Sequence, residues 1–385
     1  MHGSTGVNAI EKRCPDRTIF IVAPDGQAGG GMGRVKDYIL ASPPDRQGRL
    51  GFVPLVTRDQ RGAIFSLLLM ITGMGRMAIA ASRGRAAAVH VHMGDRGSIL
   101  RKGLMIGFAR LCGIPALLHL HAVELEEMYA RAPAAVRWLI RSPFHWASTV
   151  IVLGERYRSW LVGALHVPEG KIDILTNGVP GVAAPPDRAG REGRPCEILF
   201  LGNLIERKGV SDLLAALARI NDPALSWRAV LAGGGDEAHY RQQAQSLGLD
   251  ERVAFVGWVD QAQVRERLGS ADLLVLPSYD EGLPLVILEA LGSGLPVVCT
   301  PVGSIPEVLT DEQEVLLVPP GDQEALASAI RRLVAEPELR RAMGRRGRAA
   351  FDARFSLRAF QDALFAIYRR RCGLDYRSDR SDETT

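Results

Sequence analysis

One stretch of sequence decides the fold: SYDEGLPLVILEA, residues 278–290 of a chain of 385 residues. The apolar run Leu273–Pro277 predicts a buried strand directly before it. Pro284 fits the first position of a helix, where its missing N–H needs no partner. The turn 281–284 then lies at the carboxyl end of a strand and the amino end of a helix. Open α/β sheets bind ligands at such places, and free amides at the positive helix end attract phosphate.

Two glutamates flank this predicted phosphate site. Glu281 lies just before the helix and Glu289 in its second turn. Glutamates at this spacing are usually solvated, but Glu289 stands between Leu288 and Ala290 in a mostly apolar helix. An unpartnered carboxylate costs several kcal/mol there. Carboxylates accept hydrogen bonds from sugar hydroxyls and repel phosphate, so the pattern predicts glutamates that bind hydroxyls and amides that bind phosphate.

The same alternation of short apolar runs and helical patterns extends outward over most of the chain. Such alternation predicts parallel α/β sheets. The predicted strands are 18–23, 52–56, 89–92, 116–121, 149–153 and 172–175 in the first half, and 198–201, 228–232, 253–257, 273–277, 296–300 and 315–318 in the second. The composition, 47% apolar and 23% charged, is that of a soluble globular chain, and the length fits two domains.

Charge and cysteine content restrict the partners and the compartment. Residues 1–190 hold 23 Lys and Arg against 14 Asp and Glu, whereas residues 191–385 hold 24 against 29. The basic first half could face an anionic membrane or nucleic acid, or reflect no more than drift in surface composition. Five cysteines without a CxxC spacing argue against a disulfide framework and favour a reducing, cytoplasmic location. The first sixteen residues lack a secretory signal, and the most apolar run, 63–72, is too short for a membrane span.

Several motifs in a fixed order carry a resemblance to a known family. The E-x7-E pattern of residues 281–289 resembles the signature of retaining glycosyltransferases of family 4, which have the GT-B fold. Further matching elements, in chain order, are Asn177-Gly178-Val179, Leu201-Gly202 with Lys208-Gly209, Ala232 to Gly235, and Val253 to Gly257. The segments 92–98 and 124–129 are similar to exopolysaccharide and lipopolysaccharide enzymes of this family. The resemblance spans about residues 18–370.

The resemblance implies two Rossmann-like domains that face each other across a cleft. We expect a flexible N-terminus (1–16), an acceptor domain (17–180), a linker (181–195), a nucleotide-sugar domain (196–355), a helix that crosses back to the first domain (356–372) and a flexible tail (373–385). The Pro- and Gly-rich composition of the linker is typical of a connection between domains.

The resemblance also implies roles for individual residues. Glu281 would contact the donor sugar and Glu289 the ribose, while Arg207 and Lys208 would neutralise the diphosphate. His121, the better match of the two histidines in the predicted strand 116–121, would hydrogen-bond a sugar hydroxyl. The remaining donor contacts would come from Gly202, Asn203, Val256, Trp258, Gly282, Leu283, Leu285 and Val286. The glycines of the loop after the first strand, Gly30, Gly31 and Gly33, would face the diphosphate and the acceptor.

Two details qualify these expectations. Asn203 stands where the family often has Arg, so neutralisation of the diphosphate would rest more on Arg207 and Lys208. The chain contains no Asp-x-Asp pair, and we expect no metal and no cofactor besides the donor. His90, His92, His119 and His121 alternate on two predicted strands, but strand histidines are usually satisfied by local hydrogen bonds, so we do not predict a metal site from them.

The predicted function is transfer of a hexose from a nucleotide-diphosphate sugar to a lipid-linked saccharide acceptor. We expect this reaction to serve the synthesis of cell-surface polysaccharide. We expect peripheral membrane contact through the basic first domain, and no nucleic acid. A nucleotide-sugar epimerase, a phosphorylase and a non-catalytic sugar- or nucleotide-binding protein remain alternatives. An NAD-dependent dehydrogenase is disfavoured because the glycine run lacks the third glycine of G-x-G-x-x-G: Arg34 follows where it should stand.

Overall fold

The structure of the chain is a computed structural model, which describes residues 16–24, 30–42, 50–58, 61–186, 188 and 193–374. Most of the predicted flexible ends lies outside the described residues. So do the first glycines of the predicted loop, Gly26 and Gly29, and residues 187 and 189–192 of the predicted linker.

The first half forms one parallel sheet of six strands. The strand order is β2-β1-β3-β4-β5-β6. The strands are β1 (Arg17–Ala23), β2 (Leu50–Val56), β3 (Ala86–Met93), β4 (Ala116–Leu120), β5 (Thr149–Val152) and β6 (Ile172–Ile174). The helices are α1 (Gly30–Leu40), α2 (Ala63–Ser82), α3 (Gly97–Leu111), α4 (Leu125–Arg131), α5 (Ala134–Trp146) and α6 (Glu155–Leu165).

The second half repeats this architecture. Its parallel sheet has the order β12-β11-β10-β7-β8-β9. The strands are β7 (Cys196–Leu201), β8 (Trp227–Ala232), β9 (Val253–Phe255), β10 (Leu273–Leu276), β11 (Val297–Cys299) and β12 (Val315–Leu317). The helices are α7 (Val210–Arg219), α8 (Glu237–Ser246), α9 (Gln261–Ser270), α10 (Leu285–Gly292), α11 (Ile305–Val308), α12 (Gln323–Ala335), α13 (Pro337–Ala350) and α14 (Leu357–Cys372). The predicted fold of two Rossmann-like units is confirmed.

Helix α14 follows the second sheet but packs on the first. Gln361 donates to the Tyr38 carbonyl at 3.2 Å, and Tyr368 is fully buried beside His90. Arg370 and Arg371 both bind the Asp173 carboxylate, which lies in strand β6. The last helix therefore ties the end of the chain to the first sheet.

Helix α2 differs from the sequence prediction. The apolar run 63–72 is only the first half of a helix that continues to Ser82, because Gly73, Gly75 and Arg76 do not end it. By length and composition alone α2 is long and apolar enough to cross a membrane. The core helix of a soluble protein passes the same test. In this structure one side of α2 packs on the sheet, where Gly73 approaches Leu55 and Met105.

Two helix starts differ from the sequence analysis, α1 by about one turn and the place of Pro284 at α10 by a single position. Helix α1 begins at Gly30 rather than near Arg34, so Gly30, Gly31 and Gly33 form its first turn instead of a loop before it. Helix α10 begins at Leu285, because Pro284 has the extended ψ of 126° and caps the helix from outside.

The Asp173 anchor makes a prediction about stability. Burial alone would raise the pKa of Asp173, but hydrogen bonds from Arg371 and Arg370 outweigh it and hold the pKa below its usual value. Asp173→Asn should cost about 1–3 kcal/mol at pH 7, because charge-assisted hydrogen bonds are lost. Thermal melts of both proteins from pH 7 to pH 3 would measure the loss as a drop of the melting temperature.

The sign of the pH dependence follows from the lowered pKa. The stabilisation is present above the unfolded-state pKa of about 3.9 and disappears as the pH falls through the lower folded-state pKa. The difference between wild type and Asp173→Asn should therefore shrink in acid. Asp250→Asn, at an exposed position before β9, is the matched control. An equal effect of both substitutions would contradict the anchor.

Candidate functional site

The carboxylate of Glu281 is buried at the amino end of α10. The residue follows strand β10 and is only 7% exposed. Its Oε1 forms an ion pair with the Lys208 amine and accepts a hydrogen bond of 2.8 Å from the Ser278 hydroxyl. Ser278 is in turn fixed, since its carbonyl accepts from Thr300 Oγ1 at 2.5 Å. The predicted Glu281 and Lys208 thus lie in direct contact.

A second cation approaches the same turn. Arg207 donates to the Asp280 carbonyl at 2.6 Å, and Tyr279 N donates back to the Arg207 carbonyl at 2.9 Å. Burial raises the pKa of the Asp280 carboxyl to about 6, although Arg207 and Arg156 oppose the shift. The structure therefore brings both predicted cations to the turn that precedes α10.

The backbone around α10 is shaped by close contacts. Gly303 has a φ of +58°, and a Cβ there would meet the Glu281 carbonyl oxygen at 2.0 Å, so only glycine fits. The Asn177 amide donates to the Leu283 carbonyl at 2.9 Å across the two halves of the chain. These contacts fix the turn, while the first amides of α10, those of Leu285 and Val286, have no carbonyl within the helix to bind.

The first domain faces this helix end. A Cβ at Gly31 would lie 3.9 Å from the Leu285 side chain, and one at Gly282 would lie 3.0 Å from Leu153, which follows β5. The amino end of α1, with Gly30, Gly31 and the buried Gly33, thus opposes the amino end of α10. Two helix ends with partial positive charge meet here, which suits an anion between them.

Glu289 is partnered by a residue that sequence reasoning missed. Its Oε1 forms an ion pair with Arg34 of α1, in the opposite domain. Its Oε2 is buried without a hydrogen-bond partner, as is Nε of Arg34. The sequence offers one signal, since Arg34 directly follows the glycine run.

The other predicted donor contacts line the loops after β7 and β9. Gly202 and Asn203 follow β7, and the backbone of Gly233 is so close that a Cβ on it would lie 1.8 Å from the Gly202 carbonyl. Val256 is half-buried after β9, and Trp258 is 73% exposed. An exposed indole offers a face on which a planar base can stack.

His121 belongs to a row of four histidines on the first sheet. His92 lies directly opposite His119 in the register of β3 and β4, which puts all four rings on one face. His92 Nδ1 lies 2.9 Å from His121 Nε2, and His90 Nε2 lies 3.2 Å from His119 Nδ1. Burial lowers the pKa of His90 and of His121 to about 3, so both rings are neutral. Burial also lowers the pKa of the neighbouring Lys102 to about 7.

A further contact between the domains was not predicted. Glu307 of α11 caps the amino end of α6: its carboxylate accepts from the amides of Glu155 at 2.5 Å and Arg156 at 2.9 Å. A single glutamate in a helix of four residues carries no signal of such a contact in the sequence.

Comparison with known proteins agrees with this geometry. Residues 18–178 match the family model of the glycosyl transferase 4-like domain, and residues 186–350 match that of glycosyl transferases group 1. Alpha-D-kanosaminyltransferase of Streptomyces kanamyceticus is 25% identical over 348 residues, which cover 86% of this chain and 87% of that enzyme.

Two further similarities span different lengths. The lipopolysaccharide core biosynthesis glycosyltransferase LpsD of Rhizobium meliloti is 32% identical over 203 residues, 52% of this chain and 57% of LpsD. The crystal structure of Anabaena Alr3699/HepE in complex with UDP-glucose superposes with a TM-score of 0.70 at 18% identity and covers 91% of this chain and 99% of that one. The chain belongs to the GT-B glycosyltransferases of the family 4 type, which use nucleotide sugars.

Proposed function

We propose that this glycosyltransferase moves a hexose, with retention of anomeric configuration, from a nucleotide-diphosphate sugar to a lipid-linked saccharide in cell-surface polysaccharide synthesis. The observation that carries the proposal is the buried carboxylate of Glu281 beside Lys208 at the amino end of α10. Such a carboxylate can accept hydrogen bonds from the hydroxyls of a hexose. Lys208 and the positive helix end can bind the negative charge of a diphosphate. The similarity to LpsD supports a polysaccharide product.

The proposed chemistry needs no metal at the diphosphate and no cofactor besides the donor. The acceptor hydroxyl attacks the anomeric carbon on the face from which the diphosphate departs. The bond from that carbon to the diphosphate oxygen breaks, and a diphosphate oxygen takes the acceptor proton. Arg207, Lys208 and the amides at the start of α10 stabilise the charge on the departing group. His121 would hydrogen-bond a sugar hydroxyl from the first domain.

Donor binding would also rearrange one ion pair. Glu289 is held by Arg34 from the opposite domain while its second oxygen has no partner. Two ribose hydroxyls would satisfy Glu289 and free the Arg34 guanidinium, which carries further donors, for the diphosphate. Trp258 and Val256 would flank the base.

The activity is testable without knowledge of the acceptor. A thermal-shift panel of nucleotide diphosphates and nucleotide sugars identifies the donor, because a ligand of the folded state raises the melting temperature. UDP-glucose comes first, since HepE was crystallised with it. Radiolabelled donor and a lipid extract then report transfer, and NMR of the product reports its anomer. Conversion of the sugar without acceptor would instead indicate an epimerase, and binding without transfer a binding protein.

A lipid-linked acceptor is supported by an apolar face on the first domain. We define this face by the exposed side chains of α2, α3 and α5. They are Ile64, Leu67, Leu68, Ile71 and Ile79 on α2, Leu100, Leu104 and Leu111 on α3, and Val136, Trp138 and Leu139 on α5. Helix α2 packs against α3, and α3 against α5, so the three helices form one layer. The excess of basic residues in this half suits an anionic membrane.

The role of Glu281 predicts a loss of turnover. Glu281→Gln keeps the shape of the side chain but removes its negative charge. That charge strengthens the hydrogen bonds accepted from sugar hydroxyls and forms the ion pair with Lys208. We expect kcat to fall about 100-fold or more, as when one preorganised polar group is removed from an active site. Donor turnover and circular dichroism are the measurements. Glu338→Gln, on the exposed surface of α13, should behave as wild type; a fully active Glu281→Gln would refute the assignment.

The role of Lys208 predicts weaker donor binding. Lys208→Met retains the apolar stem but loses a charge-assisted hydrogen bond, which contributes about 1.5–3 kcal/mol. The Kd for the nucleoside diphosphate should therefore rise about 10-fold to 100-fold, measured by calorimetry. Lys171→Met removes an amine that binds the His145 carbonyl in the first domain and should leave the Kd unchanged. An unaltered Kd in Lys208→Met would exclude contact with the diphosphate.

The apolar face predicts binding to anionic vesicles. The double substitution Leu68→Glu and Ile71→Glu places charge in this face and should abolish cosedimentation with phosphatidylglycerol vesicles. Val162→Glu is the control, because α6 packs at the other edge of the sheet. Wild-type protein that stays in the supernatant at low salt, or equal loss in the control, would contradict the membrane contact.

A further inference from the structure

A cluster of buried histidines lies behind His121 on the first sheet. His90 and His92 come from β3 and His119 from β4, and all three are fully buried. The rings of His90 and His92 are stacked with centroids 4.7 Å apart, and that of His119 lies 5.3 Å from each of them. One nitrogen from each of the three lies within 4.8 Å of the other two.

Two nitrogens of this cluster have no partner. Nε2 of His92 and Nε2 of His119 are buried without a hydrogen bond, although the Nδ1 atoms of both rings are engaged. A buried polar atom left unpaired costs about as much as a lost hydrogen bond, so folded proteins rarely retain one without a water or an ion to satisfy it. Two such atoms on directly opposite residues indicate a common partner between the strands.

We propose that His90, His92 and His119 bind a divalent transition metal ion of the zinc class. Imidazole nitrogens select Zn²⁺, Co²⁺, Ni²⁺ and Cu²⁺ over Mg²⁺ and Ca²⁺. With bonds of about 2.0–2.1 Å, nitrogens around a tetrahedral Zn²⁺ lie about 3.4 Å apart. The three nitrogens now lie within 4.8 Å of one another, and binding would require them to approach to that distance by rotation of the rings about χ2, a broad torsion.

The surroundings of the cluster suit metal ligation. The Tyr368 hydroxyl lies 2.6 Å from His90 Nδ1 and can accept its proton, so the lone pair lies on Nε2. That nitrogen lies 3.2 Å from His119 Nδ1 and would exchange this contact for the ion. Such outer partners commonly orient metal-bound histidines. Burial lowers the pKa of all three rings, so they are neutral and no proton has to be displaced.

The ion would act on His121 through His92. If Nε2 of His92 binds the metal, the proton of the neutral ring must lie on Nδ1, which then donates to Nε2 of His121. The proton of His121 is thereby held on Nδ1. The site lies on the first sheet and not at α10, so the proposed departure of the diphosphate without metal is unaffected.

Metal binding is measured directly on the full-length chain without a polyhistidine tag. After chelator treatment, Co²⁺ titration should give a visible ligand-field band that saturates at one ion per chain, and Zn²⁺ should raise the melting temperature reversibly with EDTA. His119→Leu and His92→Asn should abolish the band. Tyr368→Phe keeps the packing and should weaken Co²⁺ binding about 10-fold.

The controls make failure informative. His239→Ala, at an exposed position on α8, should bind Co²⁺ as wild type does. Circular dichroism identifies variants that do not fold, and Tyr368→Phe and His92→Asn provide independent substitutions if His119→Leu is one of them. Folded wild-type protein without a Co²⁺ band or a Zn²⁺-dependent shift, or a band retained in folded His92→Asn and His119→Leu, would overturn the proposal.

Discussion

The buried carboxylate of Glu281 is the constraint on which the site depends. An ionised group with 7% exposure is tolerable only with partners, and Lys208 and Ser278 supply them from two different loops of the second sheet. The ion pair of Glu281 with Lys208 holds the turn before α10. Gly303 allows the neighbouring backbone to pack against this turn. A donor therefore meets a preorganised arrangement of carboxylate, amine and helix end.

Polar contacts of unequal character join the two halves of the chain. Arg34 binds Glu289, Asn177 binds the Leu283 carbonyl, and Glu307 caps α6. The Asn177 and Glu307 contacts each engage backbone groups and need no ligand. The Arg34 contact leaves buried atoms unsatisfied on both partners, so it is the one that a ribose and a diphosphate would most readily replace.

Much of the fold was predictable, because the twelve predicted strands are short and mostly apolar runs, and their alternation with helices favours parallel sheets. The starts of the helices were less predictable. The first turn of α1 is rich in glycine, which disfavours a helix, but contact with Leu285 supports it. Pro284 caps α10 instead of forming its first residue. In the site, the resemblance assigned Glu281 and Lys208 to different parts of the donor, and their direct contact came only from the structure. The contacts of Arg34 and Glu307 could not be predicted, because their partners lie about 150 to 260 residues away in the sequence. No local pattern indicates a contact over such a separation.

The histidine row shows why a period of two along a strand says less about chemistry than cross-strand register does. Alternation alone places His90 with His92 and His119 with His121, and either pair could be satisfied locally. The register adds that His92 faces His119, and this brings together the two nitrogens that lack partners. Tyr368 reaches the far end of the row from α14, so the helix that ties the two halves of the chain together also contacts the ring system that ends at His121.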